Sequence, residues 1–188
     1  ERLVLVASGG LGKDVTPFLR AVTLPGSEYV LPLLLSRQLH QVLSGAGGLM
    51  RRVGFRPGVV GAEVWRSYSG LSETRGLQAF INTVRSVIDI GGQRVSARDR
   101  LYLAQEMPTL IVWGDRDQVI PVAHARIAHE LMPGSELRIV EGAGHFLPFE
   151  RPEPFLEALS EFIATTEPAT TDAARFRDLL LSRTSASE

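Results

Sequence analysis

The chain contains three short apolar runs, at positions 3–6, 110–113 and 137–140, each bounded by glycine or charged residues. Apart from Arg138, apolar residues follow one another in these runs instead of alternating with polar ones. Continuous runs of this length are typical of strands buried on both faces of a parallel sheet, whereas strands with one solvated face alternate. The pattern therefore predicts three fully buried strands of one parallel sheet.

Two stretches of helical spacing accompany these strands. The first lies between the second and third strands and ends at Pro133-Gly134, a pair that terminates helices. The second follows a glycine-containing loop at 141–144 and opens at Pro152. Their apolar positions are Ala123, Ile127, Ala128, Leu131 and Met132 in the first, and Phe155, Leu156, Leu159, Phe162 and Ile163 in the second. A strand-helix-strand unit followed by a helix that covers the sheet is expected.

The region 15–104 has a different character, because its apolar positions keep helical spacing, its breaks fall at glycine and proline, and it has no convincing strand. One predicted helix spans 29–42, and the clearest is marked by Leu77, Phe80, Ile81, Val84 and Ile88. The predicted organisation is a core strand and loop at 1–14, a helical cap insertion with the return to the core at 15–104, a C-terminal core at 105–166, and a peripheral tail at 167–188.

The composition limits the kinds of binding partner that the chain is expected to have. Of 188 residues 44% are apolar, and 20 basic side chains against 21 acidic ones leave a formal net charge of -1, so the balance favours neither nucleic acid nor anionic lipid. Cysteine is absent, which excludes disulfides, thiolate metal sites and cysteine nucleophiles. No apolar run approaches the ~20 residues that a membrane span requires. We expect a small-molecule substrate, no nucleic-acid partner and no membrane span.

Acidic and basic side chains follow two of the predicted strands directly. The strand at 110–113 runs into Asp115 and Asp117, and the strand at 137–140 leads to His145 through a glycine loop. Open parallel sheets bind ligands at the carboxyl ends of their strands. A neutral imidazole takes a proton efficiently only when a carboxylate holds its other nitrogen. The pattern favours Asp117 and His145 as an acid–base pair. Asp115 is expected to brace the loop. The alternative for Asp117 is that it caps the helix that follows.

The remaining histidines indicate no second site. His124 and His129 fall on the predicted helix at 123–132, where partly exposed positions are expected. No pair of histidines shares a face with a carboxylate at ligand spacing, so neither a metal nor another cofactor is expected.

Two motifs in this order resemble the α/β-hydrolase family. They are 108–117, PTLIVWGDRD, with Ile120-Pro121 after it, and 142–146, GAGHF, with 150–152, ERP, after it. The pattern is most similar to lidded members such as meta-cleavage-product hydrolases, esterases and haloperoxidase-like enzymes. The resemblance implies a partial α/β-hydrolase fold, with parallel strands, flanking helices and a helical cap insertion. It also implies that Asp117 and His145 are two members of a catalytic triad.

The third member of such a triad is a nucleophile on a G-x-S-x-G elbow, and this sequence contains no such elbow. Ser8 also follows a strand, but Val6 stands where the elbow needs glycine, and 11–14 replaces the expected helix. By resemblance, the strand at 3–6 follows the elbow helix. The nucleophile is therefore expected upstream of Glu1, and the chain alone is expected to be inactive.

The expected function is hydrolysis of an ester or similar bond in a mainly apolar small molecule, in the manner of a carboxylesterase. One rival keeps the fold and uses an aspartate nucleophile, as epoxide hydrolases and haloalkane dehalogenases do. A second rival is a truncated, non-catalytic fragment. A cytoplasmic location is expected, as is self-association through the edge of the strand at 3–6.

Overall fold

The computed structural model describes residues 1–34, 74–170 and 173–184. The chain divides into two compact units, one formed by 1–14 with 95–188 and the other by 15–94. The elements in chain order are β1 (Leu3–Val6), α1 (Pro17–Val22), α2 (Ser27–Leu34), α3 (Thr74–Val87), β2 (Ile88–Asp89), β3 (Gly92–Gln93), a 3-10 helix (Arg98–Ala104), β4 (Thr109–Gly114), α4 (Ala123–Leu131), β5 (Glu136–Val140), α5 (Leu147–Glu150), α6 (Pro152–Thr165) and α7 (Ala173–Thr184).

The first unit is built on a parallel sheet of strand order β1-β4-β5. Leu3 pairs with Thr109 at the start of β1, and Leu110 pairs with Glu136 at the start of β5. All of β4 is buried, as predicted, but β1 and most of β5 are only half-buried. The prediction of three fully buried strands is thus correct for β4 and wrong for the other two. In the described sheet only β4 has a strand on each side, which explains the difference.

Helices α4 and α6 both pack on β4 and β5. Leu110 and Val112 of β4 share one buried cluster with Phe162 of α6. Successive side chains of a strand point to opposite faces, so Trp113 lies on the other face, where its indole Nε1 donates a hydrogen bond to the Ile120 carbonyl at 3.1 Å. The predicted strand-helix-strand unit and the covering helix are both confirmed.

In the second unit, α1, α2 and α3 pack against one another. The Arg85 guanidinium of α3 donates to the Leu24 carbonyl at 3.0 Å and to the Ser27 hydroxyl at 3.1 Å, and it pairs with the Glu28 carboxylate. One side chain therefore joins α3 to the turn between α1 and α2. The predicted helix at 29–42 coincides with α2 as far as Leu34, and 35–42 lies outside the described residues.

The expectation that 15–104 contains no strand is wrong, because β2 and β3 form a short antiparallel hairpin. The Asp89 carboxylate accepts a hydrogen bond from the Gly91 N–H at 2.7 Å, and Gly92 has a φ of 118°. A side-chain turn followed by a left-handed glycine closes such a hairpin without any long apolar run. Ile88, which we predicted on the face of α3, is therefore the first residue of β2.

His124 is buried, contrary to the expectation of partial exposure. Its ring lies against the backbone of Gly12, where an added Cβ would come within 2.4 Å of Cδ2 and Nε2. The ring atom Nδ1 is buried and has no hydrogen-bond partner in the described part of the chain. Tertiary packing against a glycine, which helical periodicity does not reveal, thus decides the environment of this histidine.

No helix in the described ranges is both long enough and apolar enough to cross a membrane.

The protein should lose stability as the pH falls below about 6.5, the usual pKa of histidine. Burial lowers the pKa of His124, and Arg98 lowers it further, against the opposing charges of Asp14 and Asp117. Below that pH the unfolded chain binds a proton that the folded chain does not, so unfolding becomes easier by up to about 1.4 kcal/mol per pH unit. Urea unfolding from pH 7.5 to 5 measures this slope. It should flatten in His124→Gln and persist in His129→Gln, and an unchanged slope in His124→Gln would contradict the assignment.

Candidate active site

The site lies at the carboxyl edge of the sheet in the first unit, where β4 and β5 end side by side. Strand β4 ends at Gly114 and β5 ends at Val140. Because the strands are parallel neighbours, the loops that follow them leave from the same edge. The first loop carries Asp117 and the second carries His145, and the distance from His145 Nδ1 to Asp117 Oδ2 is 2.9 Å. The structure thus brings the two predicted residues together.

The carboxylate of Asp117 is held on both of its oxygens. Its Oδ1 accepts hydrogen bonds from the Val119 N–H at 2.8 Å and the Ile120 N–H at 2.9 Å, which leaves Oδ2 for the imidazole. Helix α4 begins later, and its N-cap residue, Val122, makes no side-chain capping bond. The helix-capping alternative for Asp117 is therefore wrong. Its backbone bonds instead fix the direction in which the carboxylate points.

The two ring nitrogens of His145 differ in their contacts. A carboxylate accepts hydrogen bonds, so Nδ1 carries the proton in the contact with Asp117, and Nε2 is the nitrogen that is not part of this contact. The side chain of His145 is 23% exposed, whereas that of Asp117 is 0% exposed. Solvent therefore reaches the imidazole and not the carboxylate behind it.

The two loops touch through their backbones. A Cβ added to Gly114 would lie 2.2 Å from the Ala143 carbonyl oxygen and 2.5 Å from that of Gly144. The Arg116 N–H donates to the same Ala143 oxygen at 2.9 Å. Only glycine permits this approach, because any side chain at 114 would displace the loop that carries His145.

Asp115 connects the same two loops from its side chain. Its Oδ1 accepts a hydrogen bond from the Gly142 N–H at 2.7 Å. Gly142 has a φ of 70°, a conformation that favours glycine and that directs its N–H towards the neighbouring loop. Asp115 is thus part of the connection between loops and makes no contact with the imidazole among the bonds described here.

Ser8 does not take the arrangement of a nucleophile in this structure. Its hydroxyl turns back towards the Val6 carbonyl of its own strand at 3.5 Å, too long for a strong hydrogen bond. Ala7, just before it, has a φ of 44°, which marks a tight turn at the end of β1. In the described ranges no cluster of three or more histidine or acidic side chains could hold a metal ion.

Sequence reasoning did not identify Glu150 as a site residue. Its carboxylate accepts hydrogen bonds from the backbone N–H groups of Gly144 and Phe146, the residues on either side of His145. The signal available in the sequence was its place in the motif at 150–152.

Comparison with known proteins identifies the fold. A family model described as the alpha/beta hydrolase fold matches residues 64–152, which include both Asp117 and His145. The chain has an α/β-hydrolase fold. It is 40% identical over 185 residues to an uncharacterised protein of Mycobacterium tuberculosis, a match that covers 96% of the chain and 53% of that protein. The chain therefore spans about half the length of this relative.

Two further relatives of this α/β-hydrolase chain have named activities. It is 34% identical over 76 residues to the monoacylglycerol lipase ABHD6 of Bos taurus, covering 38% of the chain and 23% of the lipase. It is also similar to the solved structure of Est816, described as an N-acyl homoserine lactone degrading enzyme, with 27% identity and a TM-score of 0.52 over 85% of the chain and 56% of Est816.

Substituting Gly114 with alanine should displace the loop at 141–146. The new Cβ would clash with two carbonyl oxygens, and that of Ala143 cannot turn away without breaking its bond from the Arg116 N–H. We expect a loss of about 2–4 kcal/mol in the free energy of unfolding, typical of overpacking and backbone strain at a buried site. Denaturant titration measures it, with Gly134→Ala as the control for a left-handed glycine (φ 94°) with open space around it. A loss of stability no larger than that of the control would contradict the close approach of Gly114 to the loop at 141–146.

Proposed function

We propose that this chain supplies the acid–base half of a hydrolase that cleaves an ester or similar bond in a mainly apolar small molecule. The observation that carries the proposal is the 2.9 Å contact between His145 Nδ1 and the buried carboxylate of Asp117 at the carboxyl edge of the sheet. In this function His145 is the general base and then the general acid, and Asp117 is its orienting partner.

The geometry suits proton transfer at His145 Nε2. Asp117 holds the ring through Nδ1, so Nε2 receives the proton of an attacking nucleophile and afterwards gives it to the leaving group. The imidazolium that forms between these steps lies against a carboxylate whose side chain is fully buried. Such a contact is stronger than it would be in water, because little solvent screens it.

The nucleophile of this proposal lies outside the 188 residues, because the chain has no G-x-S-x-G elbow and the Ser8 hydroxyl turns back to its own strand. A serine at such an elbow would give ester chemistry, and an aspartate would give the epoxide-hydrolase or haloalkane-dehalogenase reaction with the same histidine and acid. The family relation favours neither by itself.

The named relatives favour an ester. A monoacylglycerol is a carboxylic ester, and a homoserine lactone is a cyclic one, so the names of both the lipase and Est816 refer to compounds that contain this bond. Both compounds also carry an acyl chain. We therefore propose an ester or lactone with an apolar acyl part as the substrate class.

Replacing His145 with alanine in the full-length gene product should lower kcat for such esters roughly 10⁴-fold or more, because triad members act as a unit. Asp115→Asn should change kcat little, since an asparagine oxygen still accepts the bond from the Gly142 N–H. Steady-state assays with p-nitrophenyl esters of increasing acyl length measure both variants. Equal and mild effects of the two substitutions would show that the histidine or the carboxylate is assigned wrongly.

The 188-residue chain expressed alone should hydrolyse these esters no faster than its own His145→Ala variant. Without a nucleophile the imidazole has nothing to activate, and each missing oxyanion-hole donor costs a further ~3–4 kcal/mol of transition-state stabilisation. The assay compares the chain alone with the full-length gene product. Activity of the chain alone that disappears in Ser8→Ala would instead make Ser8 the nucleophile.

A further inference from the structure

Glu150, the last residue of α5, binds the backbone on both sides of His145. Its Oε2 accepts a hydrogen bond from the Gly144 N–H at 2.5 Å, and its Oε1 accepts one from the Phe146 N–H at 3.1 Å. One oxygen of the carboxylate thus holds the peptide unit between His145 and Phe146, and the other holds the unit between Ala143 and Gly144, one residue before the histidine. Bonds from N–H groups to a charged carboxylate are about twice as strong as neutral ones.

The local sequence makes room for this contact. A Cβ added to Gly144 would lie 2.9 Å from both carboxylate oxygens of Glu150, so any other residue at 144 would push the carboxylate away. Glycine at this position therefore serves the approach of Glu150 to the backbone. The carboxylate does not touch the imidazole in any bond described here, and its effect on the ring passes through the backbone.

We propose that Glu150 is a positioning residue for His145, an inference that rests on the proposed function of that histidine. The distance from His145 Nδ1 to Asp117 Oδ2 is 2.9 Å. A reacting nucleophile must likewise come within hydrogen-bonding distance of Nε2. Catalytic groups need to be held within about 0.5 Å of the productive geometry. One carboxylate holds the backbone one peptide unit before His145 and directly after it, so the Cα of His145 has little freedom to shift.

A plain capping role is the competing explanation. Phe146 is the N-cap residue of α5, and a glutamate that reaches back to the N-cap N–H is a known way to start a helix. However, Gly144 lies two residues before that cap, outside the helix, and a cap has no use for its N–H. The bond to Gly144 is therefore the observation that separates positioning of the histidine from capping alone.

The two explanations differ in what Glu150→Gln does in the full-length gene product. Glutamine keeps the size of the side chain, but only its oxygen can accept, and its NH₂ group faces the second N–H as a donor. If Glu150 positions the histidine, kcat should fall roughly 10–100-fold while KM changes less than about 3-fold, the pattern of a misplaced catalytic group. Glu150→Asp, which keeps the charge on a shorter side chain, should give an intermediate kcat. The matched control is Glu153→Gln, an exposed glutamate in the first turn of α6.

A second measurement follows the ring itself and requires no turnover. The proton on His145 Nδ1, bonded to Asp117, should give a downfield ¹H NMR signal that is identified by its loss in His145→Gln. This signal should shift or broaden in Glu150→Gln and stay unchanged in Glu153→Gln. A Glu150→Gln protein with the kcat and the signal of the control, altered only in its thermal midpoint, would reduce Glu150 to a helix cap and overturn the proposal. A wild-type protein that hydrolyses no ester, whatever its signal, would instead refute the proposed function.

Discussion

The backbone contact at Gly114 is the constraint on which the arrangement of the site depends. There the end of β4 approaches the carbonyl oxygens of Ala143 and Gly144 so closely that no Cβ fits. Because β4 is buried along its whole length and paired on both sides, it cannot shift to relieve this crowding. The loop after β5 must therefore follow the end of β4, and the separation of the two loops is fixed before any side chain contributes.

Carboxylates that accept hydrogen bonds from backbone N–H groups hold the loops that follow the strands. Asp115 ties one loop to the other, Asp117 is held within its own loop, and Glu150 holds the peptides around His145. In each case a charged acceptor takes up N–H groups that the irregular loops leave outside any helix or sheet. The loops are thus ordered by polar contacts, while the apolar cluster that contains Phe162 packs on one face of the sheet.

The sequence predicted best what depends on short-range order along the chain. The strand-helix-strand unit follows from continuous apolar runs and helical spacing, and parallel pairing then brings Asp117 near His145. The prediction from sequence failed where contacts between segments far apart in the chain determine the structure. The burial of His124 depends on an approach to Gly12, more than a hundred residues earlier, and the partial exposure of β1 depends on how many strands flank it. Glu150 was missed because a long side chain that binds backbone leaves no periodic signal.

The hydrogen bonds that hold Asp117, His145 and their loops in the described residues lie within one continuous stretch, from Thr109 at the start of β4 to Glu150 at the end of α5, and β1 adds the pairing on the other side of β4. The stretch contains its own strands, its own connecting helix and its own carboxylates. In the proposed function, the nucleophile comes from a different part of a polypeptide and can be exchanged, serine for aspartate, without any change in this stretch. In the proposed function, a change of reaction therefore needs a substitution only at the residue that faces the imidazole, and the geometry of Asp117 and His145 stays as it is.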